Sequence, residues 1–190
     1  MPIPRSKTRS LPSRVDLKKK FYKLAVAQSD IAAAYSACEL FIERVDSMSH
    51  PLYYPLLVTI VVSYARPFID NRGFGVLPKQ WRDFQNPKYQ SAHDLIIKAR
   101  NEVFAHRDTK VAKVVIVPPG VAFGGDNPSS KVGFGIKSYW FKPSQVPLFR
   151  DTCADLGKRL LAAIEDLLEV LYGGMELPNA RFPLRFDNGL

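Results

Sequence analysis

Residues 98–108 read KARNEVFAHRD, a stretch that sets Arg100, Asn101, Glu102, His106 and Arg107 around the apolar Val103, Phe104 and Ala105. Two of these side-chain types can bind anions or move protons. A guanidinium presents a planar fork of donors to phosphate or carboxylate oxygens, and an imidazole exchanges protons near neutral pH. At about 100° per residue, the six-residue separation puts Arg100 and His106 roughly 120° apart on a straight helix. They do not converge on one atom within such a helix, so a joint site needs a kink, a second helix or a second chain. Glu102 stands four residues before His106, close enough to steady a protonated imidazole. His93, Arg100 and Arg107 share a face at heptad spacing. A structural assignment fits the same residues: His106 ends a helix as a partly buried ring, and Arg100 pairs with a carboxylate of a neighbouring helix.

Other chemistries find little support. GFG occurs twice, in neither case with the strand and helix that make a phosphate loop. The three histidines, His50, His93 and His106, show no HExxH spacing, and no CxxC pair exists. No GxSxG elbow is present. Neither a metal nor a cofactor is therefore expected.

The elements that must position Arg100 and His106 read as mostly helical. From Leu17, apolar residues recur at three-to-four spacing through Phe21, Leu24, Ile31, Tyr35, Cys38, Ile42 and Val45, which predicts one long helix or two collinear ones broken near Ser29 and Asp30. Residues 56–64 contain the β-branched run Val58–Val62. The spacing of Leu56, Leu57, Ile60, Val61 and Tyr64 nevertheless predicts a helix, weakened at its end by Pro67. GFGVLPKQWRDFQNP reads as a loop. A third helix is expected over Pro87–Asp108, with Ala92, Leu95, Ile96, Ala99 and Val103 on one face. KVAKVVIVPPG and KVGFGIKSYWF read as two strands joined by a long Pro- and Gly-rich connection. A last helix from about Ser144 and Pro147 stops at Gly173 and Gly174. The plan is mainly α: an up-and-down four-helix bundle with a small β-hairpin insertion before the last helix. A flexible basic arm over 1–16, a bundle over 17–175 with its β insertion at about 111–141, and a C-terminal tail over 176–190 complete it.

A chain of 190 residues, 46% of them hydrophobic, can bury a substantial single core. Both cysteines, Cys38 and Cys153, fall in apolar helical patterns, which suits a reduced, cytoplasmic protein. The N-terminus lacks the apolar region of a secretory signal. The most apolar run, Leu56–Ala65, falls far short of the roughly 20 residues of a membrane span. Net charge is +9, and residues 1–23 supply most of it. Eight Lys/Arg, including Lys18, Lys19 and Lys20, face one acid there, while the rest is close to neutral. Such an arm suits a polyanion partner, whether nucleic acid or an acidic protein, or serves as a solvated tail.

The segment RNEVFAH resembles the R-x4-6-H signature of the HEPN superfamily, helical-bundle proteins that include ribonuclease toxins and abortive-infection effectors. Arg100, Asn101 and His106 match it in residue type and order, on the third main helix. The β insertion lies outside the usual minimal bundle. The resemblance implies a metal-independent endoribonuclease acting as a homodimer, with two motif copies facing across the interface, which removes the need for convergence within one chain. It assigns His106 to acid/base transfer at the 2′-oxygen and the 5′-leaving oxygen, Arg100 to the charge on the phosphorane, and Asn101 to orientation. Arg107, Lys18, Lys19 and Lys20 become phosphate contacts. Trp81, Tyr139 and Trp140 become base-stacking candidates if they are not core. Many members of the superfamily have lost activity, so the alternative is a silent HEPN-like scaffold for nucleotide, RNA or protein binding. A toxin paired with a cognate antitoxin is a third reading.

Overall fold

The computed structural model describes residues 12–69, 75–101, 112–122, 128, 130–138 and 141–186. Within them the chain is mainly helical, and a small antiparallel hairpin precedes the last helix.

Helix α1 spans Arg14–Arg44 without a break at Ser29 or Asp30. A capping box sets its start: the Asp16 backbone N–H donates to Ser13 Oγ at 3.2 Å, and the Ser13 backbone N–H donates to the Asp16 carboxylate at 3.3 Å. The helix therefore begins three residues before Leu17, where the apolar repeat starts. Its buried stripe runs through Leu24, Ala27, Ile31, Ala34, Cys38 and Phe41 at alternating steps of three and four. Tyr35 and Ile42, expected on that stripe, are exposed. The small Ala34 and the large Phe41 take the inward positions instead.

Helix α2, Tyr53–Ala65, buries Leu57, Ile60, Val61 and Tyr64, so helical spacing overrides the strand propensity of its β-branched run. At Pro67 the chain tightens into a 3₁₀ turn over Arg66–Phe68. The described part of the following loop, 75–86, holds one 3₁₀ turn, Lys79–Trp81, and sends Leu77, Trp81 and Phe84 into the core. Helix α3 covers Pro87–Ala99, and α4 covers Val146–Tyr172 before the chain turns at Gly173 and Gly174.

Helix α1 packs most extensively on α4 and α2, and α3 rests on α4 and α2. Contacts at both ends fix the directions. Arg14 Nη2 donates to the Leu171 carbonyl at 2.9 Å, and Arg150 pairs with Glu39 at 3.5 Å, so α1 and α4 run antiparallel. Asp30 pairs with Arg66 at 3.2 Å, and the Phe41 and Tyr53 rings meet at 5.7 Å, so α1 and α2 are antiparallel as well. The tail folds back: Phe182 meets Tyr172, and Phe186 meets Tyr22.

Strands β1 (Ala112–Val117) and β2 (Gly133–Ser138) pair antiparallel with Ile116 opposite Phe134. Because side chains alternate along a strand, Val117 is buried while Val114, Ile116 and Phe134 stand in solvent, Phe134 at 73% exposure.

Candidate functional site

Helix α3 starts where Asn86 Oδ1 accepts the Lys88 backbone N–H at 3.0 Å, with Pro87 in the first turn, where its missing N–H is harmless. Two stripes then diverge. Ala92, Ile96 and Ala99 face the core. Gln90, His93, Asp94, Ile97, Lys98 and Asn101 form one wall of a cleft of about 640 Å³, whose other wall is Lys79, Arg82 and Asp83. That volume lies in the range of small-molecule sites.

The opposite wall is held from two sides. The Phe84 backbone N–H donates to Gln90 Oε1 at 3.0 Å, and Gln90 Nε2 donates to Asp94 Oδ1 at 3.0 Å. From α4, Arg159 donates to the Gln80 carbonyl at 2.6 Å and lies over the rings of Trp81 and Phe84 at 5.7 and 5.2 Å.

His93 forms the floor. It is 4% exposed and sits among Phe68, Phe84 and Tyr64, with ring centroids at 4.8, 5.5 and 5.7 Å. Burial holds its imidazole below the ordinary histidine range; Arg82 pushes the same way, and Asp94 and Asp83 push back. The ring is therefore neutral at pH 7. Its Nδ1 lies 3.0 Å from the hydroxyl of Tyr64, which is fully enclosed and finds no other hydrogen-bond partner among the described residues. Burial pushes the Tyr64 phenol well above its usual range, so it keeps its proton. A buried O–H without an acceptor loses its full hydration, so Tyr64 donates, Nδ1 accepts, and the imidazole proton sits on Nε2. His93 thus brings a neutral N–H donor to the cleft.

Arg82 brings a second donor. Its Nη2 makes a long bond to the Phe68 carbonyl at 3.4 Å, while its enclosed Nε has no partner. Among the described residues neither Lys79 nor Lys98 has a carboxylate partner.

Arg100 and Asn101 continue α3 in wider, π-helical form, and Arg100 Nη1 donates to Asn101 Oδ1 at 3.2 Å. No carboxylate pairs with Arg100 among the described residues. Asn101 joins this pair to the cleft. His106 and Arg107, the end of the expected third helix at Asp108, and Tyr139 and Trp140 lie outside the described residues. Trp81 is core and cannot stack on a base. Lys18 is fully buried, which removes it from the exposed basic face expected of it; Lys19 and Lys20 are exposed. All three lie on α1, which packs mainly on α2 and α4, and the described contacts do not bring them to Arg100. Sequence reasoning missed Arg82, Asp83, Lys79 and the role of His93. The available signal was the placement of Gln90, His93, Asp94, Ile97 and Asn101 on one helical stripe.

Among the described residues, no group of three or more His, Cys, Asp or Glu side chains is arranged to hold a metal ion, and no helix is long and apolar enough to cross a membrane. No protein-family model, curated protein or solved structure matches this chain.

Proposed function

We propose that this chain is a HEPN-like, metal-independent endoribonuclease of the toxin or defence-effector kind, acting as a homodimer. In this reading the four helices form the up-and-down bundle of that superfamily. The observation that carries it is the hydrogen-bonded Arg100–Asn101 pair at the end of the third helix, free of any described carboxylate and adjoining a cleft rich in cations and donors. An arginine not neutralised by an acid keeps its fork for phosphate oxygens. His106 takes the 2′-hydroxyl proton and returns one to the leaving 5′-oxygen, Arg100 stabilises the charge on the phosphorane, and Asn101 holds the Arg100 fork in place. Exposed Lys19 and Lys20, with Arg107, serve as phosphate contacts away from the reacting atoms. The hairpin's apolar outer face, Val114, Ile116 and Phe134, supports self-association, since exposed apolar patches commonly mark interfaces.

The test is cleavage of a mixed RNA substrate in excess EDTA by wild type, Arg100→Ala and His106→Ala, each checked for folding and dimerisation. Wild type should leave 2′,3′-cyclic phosphate ends. Each variant should lose about 10²- to 10³-fold in rate, the effect of removing one preorganised transition-state donor. A folded, dimeric wild type that leaves RNA intact would instead favour the silent scaffold. The cleft supports that second reading, because its donors stand without help from His106.

A further inference from the structure

The cleft beside α3 has more donors than acceptors to match them. The His93 Nε2–H, the enclosed Arg82 Nε–H and the ammonium groups of Lys79 and Lys98 have no hydrogen-bond acceptor among the described residues. Native proteins rarely leave an enclosed donor unpaired; the Arg82 guanidinium lines the cleft and holds one long bond within the fold, which leaves it available to an acceptor that arrives with a ligand. With His93 neutral, the lining carries three cations, Lys79, Arg82 and Lys98, against two carboxylates, Asp83 and Asp94. The net lining charge of +1 matches one negative charge better than two. A phosphodiester carries one.

The carboxylates refine the match. Asp94 already accepts from Gln90 with one oxygen, and Asp83 has no described donor. Both repel a free dianionic phosphate, and both accept from hydroxyl groups. A ligand that satisfies the whole lining combines a monoanionic phosphodiester with sugar hydroxyls. The volume of about 640 Å³ admits a nucleotide and exceeds what a phosphate alone fills.

We propose that the cleft between residues 79–83 and α3 is a ribonucleotide subsite, in which Arg82 and His93 donate to a phosphodiester and Asp83 and Asp94 accept from ribose hydroxyls. Asn101, shared by the cleft and the Arg100 pair, puts this subsite next to the reacting phosphate. The inference rests on the RNA-directed reading for the course of the strand past Arg100, and on the cleft's own chemistry for its preference. His93 here is a binding residue and takes no part in proton transfer.

The experiment titrates the full chain carrying His106→Ala with an RNA hexamer, a DNA hexamer of the same sequence and inorganic phosphate, reading the His93 ring nitrogens by 15N NMR. RNA should shift the Nε2–H resonance saturably. DNA should bind about tenfold more weakly, the effect of one lost hydrogen bond to a charged group, and inorganic phosphate more weakly still. Arg82→Gln should weaken RNA binding by at least tenfold with only a small fall in thermal stability, because in the free protein the side chain makes one long bond, to the Phe68 carbonyl, and its Nε holds nothing. Lys98→Gln, on an exposed side chain, provides a second variant that leaves the fold intact. RNA that binds without moving the His93 signals, or that does not bind, overturns the subsite. DNA or inorganic phosphate binding as tightly as RNA overturns its ribonucleotide preference. Wild-type cleavage with an unmoved His93 removes the subsite alone, whereas a moved His93 without wild-type cleavage removes the nuclease reading alone.

Discussion

At the residue scale, His93 shows how burial selects one chemistry from several. A histidine at heptad spacing from Arg100 is a candidate acid or base on paper. Enclosed by Phe68, Phe84 and Tyr64, with Nδ1 taken by Tyr64, it becomes a neutral donor of fixed tautomer. The lowered pKa has a consequence for stability. Above the unfolded-state value of about 6.5, the ring is neutral in both states and adds no pH dependence. Below it, the unfolded chain takes up a proton that the folded protein resists, so stability falls as pH drops through 6.5 towards the lower native value. Arg82, Asp83, Asp94 and Tyr64 face the ring, and only Asp83 and Asp94 oppose this trend. Melting curves from pH 7.5 to 5.5 should show a fall in Tm that is shallower in His93→Gln. Equal slopes for the two proteins would contradict the assignment.

The cysteines give a second prediction at this scale. Cys38 on α1 and Cys153 on α4 are both fully enclosed, and the adjacent Cys38 thiol together with burial pushes Cys153 well above its usual range. The thiolate is the reactive form. Alkylation of both thiols should therefore be negligible in the folded protein and appear only with global unfolding. Rapid labelling under native conditions would show that α1 and α4 separate locally.

At the element scale, the helices differ in what holds them. Helix α4 buries Phe149, Cys153, Leu156, Leu160, Ile164, Leu167 and Leu171 along one stripe, so packing dominates its stability. Helix α3 is short and buries only Ala92, His93, Ile96 and Ala99, so its N-cap contributes a larger share. Denaturant melts should show Leu156→Ala, which opens a cavity in the core, costing about 2–5 kcal/mol. Asn86→Ala, which strips one capping acceptor, should cost about 1 kcal/mol. A larger loss for Asn86→Ala than for Leu156→Ala would reverse this account. The cap substitution should also loosen the cleft wall, because Gln90, bonded to both Phe84 and Asp94, sits one turn inside α3.

At the scale of the whole molecule, the helices, their main apolar faces and the hairpin were legible in the sequence, because each depends on a period read along a few neighbouring residues. Leu57, Ile60, Val61 and Tyr64 state a helix within eight positions, and two β-branched runs flanking Pro and Gly state a hairpin. Capping, which is also local, moved the start of α1 to Arg14. The cleft was not legible. Residues 79–83 read as a loop, and their place against α3 follows from contacts between distant parts of the chain: Tyr64 with His93, and Arg159 with Gln80, Trp81 and Phe84. The burial of Lys18 beside the exposed Lys19 and Lys20 was equally hidden, since composition counts charges without locating them. By itself, then, the sequence determined element types, the main apolar stripes, net charge and the Arg100–Asn101 adjacency. Only the tertiary structure decided which donors share a cleft, which lysine is solvated and which nitrogen of His93 carries its proton, because desolvation and hydrogen-bond pairing depend on which surfaces meet.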